Sequence, residues 1–504
     1  MNYNILLVIA ISASALAALL IMLLGDRVKP NIREGFTFAA AAVKATAVFL
    51  MVPAVLSGTK INITLLEIAD GIDLEFRVDA IGLLFACIAS SLWVITSLYS
   101  IGYMRGHGEK NQTGYFAAFA MCLCGTMGIC FSANLLTFFI FYEILTVATY
   151  PLVVHYRDDK GKASGRKYLL YTLTSGQLFF AATVYIYAKC GSTDFVAGGF
   201  IGRSLGNSEA LVCFLLMVCA GAVKAGVMPL HSWLPAAMVA PTPVSALLHA
   251  VAVVKAGAFC VIRVVCYTFG PELSKSCGGS TIMIYLAGAT IIVSSLIAIQ
   301  KTNLKARLAY STVGQLSYIV LGVCLLTPYS VVGAMYHMVA HAFLKITLFM
   351  CAGAIFVTTH KADITEMRGL GYKMPATMSA FTLASLGIAG LPFLPAFLSK
   401  MNIIQGSLEA GRPEFIAVLI ISALLSLTYL VPVSYIAFAK TDRNEAFDGV
   451  SLSIKNDASP AMLIPIIIAI SAALILGIVP DFGADFLSLA KLAAGEIFAG
   501  GAVI

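Results

Sequence analysis

The sequence predicts an all-α polytopic membrane protein, and three observations carry that prediction. The chain has 504 residues, of which 60% are hydrophobic and only 11% are charged, a balance far from that of soluble domains. Apolar runs long enough to cross a bilayer, about 20 residues each, recur along its whole length. Short polar connections separate them, so we expect one membrane domain.

Fourteen apolar runs are candidate transmembrane helices. The first has no basic flank before it and no small-residue cleavage site after it, so we interpret it as a membrane span and not as a signal peptide. The predicted spans are residues 4–25, 36–56, 78–103, 115–132, 134–154, 167–188, 210–229, 244–268, 282–300, 308–326, 331–357, 376–399, 415–438 and 461–480.

The charges of the connections predict the orientation of the chain. If the spans alternate in direction, the connections after odd-numbered spans hold most lysines and arginines, including the segment "HYRDDKGKASGRK". The positive-inside rule places these connections in the cytoplasm and both termini outside it. The net charge of +7 belongs to such loops and to no basic soluble domain, so it does not indicate nucleic-acid binding.

Proline interrupts two of the predicted spans. Span 7 contains Pro229, which leaves the carbonyl of Ala225 without its helical donor, and span 12 contains Pro392 and Pro395. A broken helix persists in a bilayer only where it is buried in protein or lines a hydrated cavity. Spans 7 and 12 are five spans apart, so spans 4–8 and 9–13 are expected to form two five-helix units of inverted topology, with sites at the broken helices.

The predicted domain 1–504 therefore has four parts. Residues 1–110 hold the first three helices, 111–270 the first unit, 280–440 the second unit, and 460–504 the last helix with a C-terminal tail.

Five lysines lie within predicted spans: Lys44, Lys224, Lys255, Lys345 and Lys400. Each costs about 2.5 to 3.5 kcal/mol near the bilayer centre on insertion scales, so the protein must give them partners or water. A buried amine also gives up its proton more readily than an amine in water. Lys44 lies outside both units, and we expect it to snorkel or to pair at the interface.

Glu143 is the acid in the middle of a predicted span. A buried glutamate that faces a lysine stabilises the charged forms of both groups, and moving the lysine away favours protonation of the glutamate. We therefore interpret Glu143 and Lys224 as a switch. A static ion pair that joins two helices is the alternative.

Histidines accompany two of the other lysines. In span 11, His337, His341 and Lys345 have the spacing i, i+4 and i+8, which places them along one stripe of a helix. This arrangement is typical of a proton wire. His249 and Lys255 in span 8 need not share a face, and we expect them to serve adjacent parts of one path. Core histidines bonded to backbone carbonyls are the alternative interpretation.

The sequence lacks the common motifs of phosphate-binding sites, hydrolase active sites and metal clusters. The sequence has no Gly-rich phosphate loop after a strand, no HExxH and no GxSxG. Its twelve cysteines contain no CxxC pair of the kind that holds iron–sulfur clusters or zinc. We expect these thiols to pack as small hydrophobic groups, with no metal and no cofactor bound by this chain.

Four segments, "KAGVMPLHSWLPAAMVAPTPVSALLHA", "LKARLAYSTVGQLSYIVLG", "HAFLKITLF" and "LPFLPAFLSK", carry a family resemblance. They resemble the antiporter-like subunits shared by respiratory complex I (NADH-quinone oxidoreductase), Mrp-type multisubunit cation/proton antiporters and energy-converting membrane-bound hydrogenases. The resemblance covers roughly residues 75–440. It implies fourteen helices, two inverted five-helix units and a chain of buried ionisable groups across the midplane of the membrane.

The resemblance also implies roles for single residues. Motif by motif, it places the family's ionisable groups at Glu143, Lys224, His249, His341, Lys345 and Lys400, and Lys255 matches a "VKAG" lysine of Mrp-like members. The sequence departs from the family at Ala236 and Ala237, where many members have an acid, and at Ala396, where a glycine is frequent.

Together these features predict a proton-translocating antiporter-like subunit of a multisubunit ion-pumping complex, driven by a redox module or coupled to Na⁺ exchange. The expected partners are other membrane subunits, the lipid bilayer, protons, Na⁺ and a peripheral redox module with iron–sulfur centres. The expected location is a prokaryotic cytoplasmic membrane. Protons are favoured over Na⁺ as the ion on this path, because Na⁺ prefers clustered oxygen ligands.

Two other functions stay open. One is an autonomous secondary transporter with a substrate site at the broken helices. The other is a non-conducting scaffold, against which the insertion cost of five buried lysines argues. The chain carries no catalytic redox centre, and whether it belongs to an enzyme depends on its partners.

Overall fold

A computed structural model describes residues 2–69, 72–202, 204–439 and 457–498. Most of the connection between predicted spans 13 and 14, and residues 499–504 of the predicted tail, lie outside the described residues. The apolar runs form helices, as predicted. The helices are α1 (Tyr3–Leu24), α2 (Pro30–Leu56), α3 (Ala80–Gly106), α4 (Gln112–Phe131), α5 (Leu135–Val153), α6 (Asp159–Cys190), α7 (Asn207–Ala225), α8 (Thr242–Ser276), α9 (Gly279–Gln300), α10 (Leu304–Cys324), α11 (Pro328–Thr359), α12a (Pro375–Ala389), α12b (Pro395–Glu409), α13 (Glu414–Phe438), α14 (Pro460–Ile478) and α15 (Phe486–Ile497).

Among the described residues, twelve helices are long and apolar enough to cross a membrane. Two predicted spans fall outside that set for visible reasons. Helix α10 carries Lys305 and Arg307 in its first turn, and span 12 is divided into two helices of 15 residues each. Fourteen crossings therefore stays a prediction.

Side-chain caps set where three of the helices begin. Asp79 accepts a 2.9 Å hydrogen bond from the backbone N–H of Gly82 at the start of α3, and Asn134 accepts one of 2.8 Å from Thr137 at the start of α5. Asn303 does the same for α10. Such caps satisfy N–H groups that have no partner within the helix.

A two-stranded antiparallel sheet departs from the all-α prediction. Strands β1 (Ile61–Ala69) and β2 (Ile72–Val78) form a hairpin, and the backbone N–H of Ala133 donates a 3.1 Å hydrogen bond to the carbonyl of Glu75. The segment "IDLEFRV" alternates apolar and polar residues, which is the period of a strand. The prediction missed the hairpin because it rested on hydropathy over longer windows.

Helices α8 and α11 lie at the centre of the bundle. In their most apolar stretches 100% and 94% of the residues are buried, against 33% in α1. Glycines bring α7 against α8: a Cβ at Gly257 would lie 2.4 Å from the backbone nitrogen of Ala225. Small residues permit such close approach of helices in a membrane. Lys224, next to Ala225, is thereby placed beside the central helix.

Candidate functional site

Helix α7 ends directly after Lys224. Its last residue is Ala225, and Gly226 closes the helix in a left-handed conformation (φ 74°), which glycine adopts at little cost. Pro229 therefore lies in the irregular stretch 226–232 and does not break the helix from within, which corrects the prediction for span 7. Trp233 donates a 2.7 Å hydrogen bond from Nε1 to the carbonyl of Val223 and folds this stretch against the helix end.

Glu143 lies in the middle of α5 in a space that α6 leaves open. A Cβ at Gly176 of α6 would lie 1.8 Å from Oε1 of Glu143. Both carboxylate oxygens are buried and have no hydrogen-bond partner in the described part of the chain. A buried carboxylate without partners is costly, and protonation or a nearby cation would lower that cost.

The ammonium of Lys224 contacts the residue before Glu143. Its Nζ donates a 2.8 Å hydrogen bond to the carbonyl of Tyr142 and lies 3.2 Å from the centre of the tyrosine ring. The Tyr142 hydroxyl in turn donates a 2.7 Å bond to the carbonyl of Ala220. Within the described residues Lys224 and Glu143 form no ion pair, although their charges interact. The structure therefore holds the proposed switch pair in a separated arrangement.

Helix α8 is interrupted at His249, which the sequence analysis did not anticipate. His249 lies in a wide π-helical turn, Leu247–Val251, and Ala252 then leaves helical geometry (φ −110°, ψ −79°). Such turns are frequent at functional sites. The imidazole packs on Phe349 with ring centres 4.6 Å apart, and neither ring nitrogen has a partner in the described structure.

Lys255 connects α8 to the histidines of α11. Its Nζ lies 2.7 Å from Nδ1 of His341, and both side chains are fully buried. Nε2 of His341 has no partner in the described part of the chain. The rings of His337 and His341 are 6.2 Å apart, so the predicted stripe on α11 brings these two groups together.

Lys345 and His337 turn to different neighbours. Nζ of Lys345 donates hydrogen bonds to Oγ of Ser311 (2.7 Å) and to the carbonyl of Leu308 (3.2 Å), both on α10. His337 lies 2.8 Å from Oγ of Ser399 on α12b. The third member of the stripe is therefore held by α10 and not by the histidines.

Lys400 fills the break between the two halves of helix α12. Its Nζ donates bonds of 2.8 and 2.9 Å to the carbonyls of Ile388 and Ala389, the last residues of α12a. A cation is favoured at the C-terminal end of a helix. Pro392 lies in the connection between the halves, and Pro395 is the first residue of α12b.

Several partners of these groups were invisible to sequence reasoning. The Tyr142 carbonyl, Ser311 and Ser399 bind titratable groups but carry no charge themselves, so the sequence gives no signal for them. Ser311 also accepts a 2.9 Å hydrogen bond from Tyr429. These neutral groups hold the titratable side chains in place.

Two charged residues differ from the sequence-based interpretation. Arg263, inside span 8, forms a two-bonded ion pair with Asp79. Its charge in an apolar run is visible in the sequence, although no role was predicted for it. Lys44 does not snorkel. It is fully buried, with Nζ 4.3 Å from the centre of the Trp93 ring and 3.3 Å from the carbonyl of Leu123, to which it donates.

Comparison with known proteins gives consistent similarities. The family described as "NADH:quinone oxidoreductase/Mrp antiporter, TM" matches residues 132–426. The chain is 31% identical over 345 residues to NADH-quinone oxidoreductase subunit N of Desulforudis audaxviator, and this match covers 68% of each protein. It is 32% identical over 345 residues to a probable K⁺/H⁺ antiporter protein of Rhizobium meliloti, a match that covers 67% of this chain and 33% of that one.

The fold has a counterpart among solved structures. A chain of the Mrp complex from Dietzia sp. DQ12-45-1b superposes with a TM-score of 0.85 at 20% identity, over 99% of this chain and 98% of that chain. At this identity the likeness is one of fold.

Proposed function

Because the chain belongs to the NADH:quinone oxidoreductase/Mrp antiporter family, we propose that it is a proton-translocating, antiporter-like membrane subunit of a multisubunit ion-pumping complex. The observation that carries the proposal is a series of buried titratable side chains through the centre of the bundle. Its members are Glu143, Lys224, His249, Lys255, His341, His337, Lys345 and Lys400.

The separated pair of Glu143 and Lys224 is the proposed switch. While Lys224 is bound to the Tyr142 carbonyl, the carboxylate lacks a cation within ion-pair distance and binds a proton more readily. Return of the ammonium favours release of that proton. Motion of one side chain therefore controls when this site takes up or gives up a proton.

The contacts of α8, α11 and α12b supply the next steps of the proposed path. Lys255 exchanges a proton with Nδ1 of His341, and an imidazole releases a proton from its other nitrogen. His337 is the neighbouring imidazole, and Ser399 connects it to the helix that carries Lys400. The transfer between Lys255 and His341 is then between groups in contact, and a water would join the two imidazoles.

A repeated connection supports two inverted units. Asn134 forms an isolated backbone bridge with Asp194, and Asn303 forms one with Asp363. The number of residues from Asn134 to Asn303 equals that from Asp194 to Asp363. Each bridge joins the start of one helix to the segment after the next helix, α5 with α6 and α10 with α11. Because α5 and α10 are five spans apart, the recurrence favours units 4–8 and 9–13 of opposite direction.

The energy source is proposed to lie in partner subunits. The names of the relatives, which mention NADH-quinone oxidoreductase and K⁺/H⁺ antiport, support two drivers: a redox module, or exchange of a cation for protons. We propose iron–sulfur centres in the redox module, or Na⁺ or K⁺ as the exchanged cation. This chain would contribute the proton path in a prokaryotic cytoplasmic membrane, with its termini outside the cytoplasm.

Purification from the native membrane in mild detergent tests the proposal. The copurifying subunits are identified, and the complex and the isolated chain are each reconstituted in liposomes that contain a pH-sensitive dye. We expect the complex to move protons when its donor or cation gradient is supplied, and the isolated chain to move none. Exchange by the chain alone would favour an autonomous transporter, and an intact complex that moves no protons would overturn the proposal.

A further inference from the structure

Four polar side chains meet where the connections after α3 and α5 come together. The Tyr156 hydroxyl donates a 2.6 Å hydrogen bond to Oε1 of Glu109, Nδ1 of His107 lies 2.9 Å from the same oxygen, and Nε2 of His155 lies 3.5 Å from Oε2. We name these four residues the Glu109 cluster. Glu109 is 9% exposed and Tyr156 is 44% exposed, so the cluster extends from solvent into the protein.

The Glu109 cluster holds an anion next to two imidazoles. Burial alone would raise the pKa of Glu109, but hydrogen bonds from His155, Tyr156 and His107 outweigh burial and lower that pKa below its usual value of 4.5. The carboxylate is therefore ionised at neutral pH. The other titratable groups that the charge of Glu109 reaches are Tyr103, Tyr115 and Lys305.

A cavity of about 230 Å³ adjoins this cluster at Tyr156. Tyr156 and Tyr103 lie on the wall of this cavity together with Thr242, and Oγ1 of Thr242 lies 3.4 Å from the Tyr103 hydroxyl. The volume suits several waters, at about 30 Å³ each.

Two lysines on the cavity wall oppose a bound metal cation. Lys305 and Lys361 line the same cavity, and Nζ of Lys305 donates a 2.7 Å hydrogen bond to the carbonyl of Ala240. Ammonium groups repel Na⁺ and K⁺ electrostatically. A proton that moves between waters and hydroxyls needs no cation site in the cavity.

Unpartnered polar groups continue from the cavity along α8. Thr242 is the first residue of α8, and Ser245 and His249 follow at the spacing of one helix face. Oγ of Ser245 and both ring nitrogens of His249 are buried without a partner in the described structure. Thr242 and His249 are about 10 Å apart along the helix axis, at 1.5 Å per residue. Such groups require water or a transferable proton.

We propose that the Glu109 cluster is the proton-access site on the predicted cytoplasmic face, and that it supplies His249 through this cavity. The inference rests on the proposed function of the chain as a proton path. A proton from solvent binds the cluster, passes to cavity water and then to the imidazole, and no oxidant or reductant takes part. His107 and His155 lie in loops, so the sequence alone indicates no role for them.

The test uses the intact complex in liposomes, with the initial rate of proton translocation measured from pH 6 to 9. Glu109→Gln removes the anion, and Tyr156→Phe removes the link to the cavity while it keeps the ring. Glu366→Gln is the matched control, since Glu366 is an exposed acid in a connection on the same predicted face. We expect both cluster variants to lose about tenfold in rate at alkaline pH, the lower end of the effect of a focusing charge, and less at acid pH, where protons are abundant.

The possible results separate this inference from the proposed function. If wild type pumps and both cluster variants match Glu366→Gln at every pH, the access site is overturned while the proposed function stands. If the wild-type complex moves no protons, the proposed function fails and the access site fails with it. Should Glu109→Gln not assemble with its partners, Tyr156→Phe decides the result.

Discussion

At the scale of single residues, the proposed site depends on the space around the Glu143 carboxylate and on its lack of hydrogen-bond donors within the described residues. The carboxylate has space because Gly176 has no side chain, and it has no hydrogen-bond donor within the described residues. In the proposed path this makes its proton affinity depend on the position of Lys224, because no other group fixes the protonation state.

Gly176→Ala tests this dependence. The added Cβ would lie 1.8 Å from Oε1, so the carboxylate must rotate away, and small misplacements of a reacting group are costly. We expect proton translocation by the assembled complex to fall about tenfold. Gly35→Ala is the matched control, because a Cβ at this helical glycine meets nothing within 4 Å. Equal rates for the two variants would contradict the role given to the space beside Glu143.

Lys255 and His341 are expected to act as one unit. Their 2.7 Å contact means that removing either partner breaks the same transfer step. We expect Lys255→Met, His341→Gln and the double variant to reduce proton translocation to the same extent, because residues in direct contact are not additive. The rates of proton translocation by the reconstituted wild-type and variant complexes give the coupling between the two residues. Losses that multiply in the double variant would show that the two residues serve separate steps.

At the scale of elements, the broken helix α12 places a cation at a helix end. Gly390 closes α12a with φ 90°, and a Cβ there would lie 2.9 Å from Cδ of Lys400. The break therefore both frees the carbonyls that Lys400 binds and leaves room for its side chain.

Gly390→Ala and Gly411→Ala separate the loss of room for Lys400 from the loss of stability that an alanine at positive φ causes. Both glycines have positive φ (90° and 66°), so each alanine costs about 1 to 2 kcal/mol of stability. A Cβ at Gly411 meets nothing within 4 Å. We expect both variants to lower the melting temperature and only Gly390→Ala to slow proton translocation. A transport defect of equal size in Gly411→Ala would assign the loss to stability alone.

Sequence reasoning reached the elements and charges that stand out in apolar runs. Lys224, Lys255 and His341 could be found because a titratable side chain in a membrane span is costly. The contact between Lys255 and His341 joins two helices that the hydropathy pattern had identified, but the structure was needed to show it. The contact with the Tyr142 carbonyl could not be predicted, because every residue has a backbone carbonyl and the sequence does not distinguish one from another. The meeting of His107, His155 and Glu109 also depends on how separate loops fold together.

Span boundaries could be predicted from the sequence only where hydropathy determines them. The ends of α7 and α12a are set by Gly226 and Gly390 in left-handed conformations, and the interruption of α8 at His249 leaves no mark on hydropathy. The hairpin was readable in principle from its alternation, but a search for long apolar runs averages that alternation away.

At the scale of the whole molecule, the proposed orientation can be measured. Lys160 and Lys275 are exposed residues at the start of α6 and the end of α8, next to connections that the charge pattern places on opposite sides of the membrane. In a background of Cys190→Ser and Cys219→Ser, we expect a membrane-impermeant maleimide to label Lys275→Cys in intact cells and Lys160→Cys only after lysis. The reverse labelling pattern would mean that the chain has the opposite orientation and that the Glu109 cluster lies on the other face of the membrane.

Acid should weaken the whole fold partly through the Glu109 cluster. The folded-state pKa of Glu109 lies below its usual 4.5, so its contribution to stability is complete above the unfolded value and is lost as the pH falls through the folded value. We expect Glu109→Gln to be less stable than wild type at neutral pH and to show a smaller loss between pH 5 and 3. Thermal unfolding in detergent measures this, and parallel pH curves for the two proteins would contradict it.

The rate of proton translocation by a complex that carries Lys224→Ala tests the central claim most directly. Lys44→Ala is measured beside it, because Lys44 is another fully buried lysine that the proposed path does not use. With both complexes assembled, we predict that Lys224→Ala loses about a hundredfold in rate, as expected for removal of a proton-transfer group, and that Lys44→Ala keeps the wild-type rate. Wild-type translocation by Lys224→Ala would contradict the account.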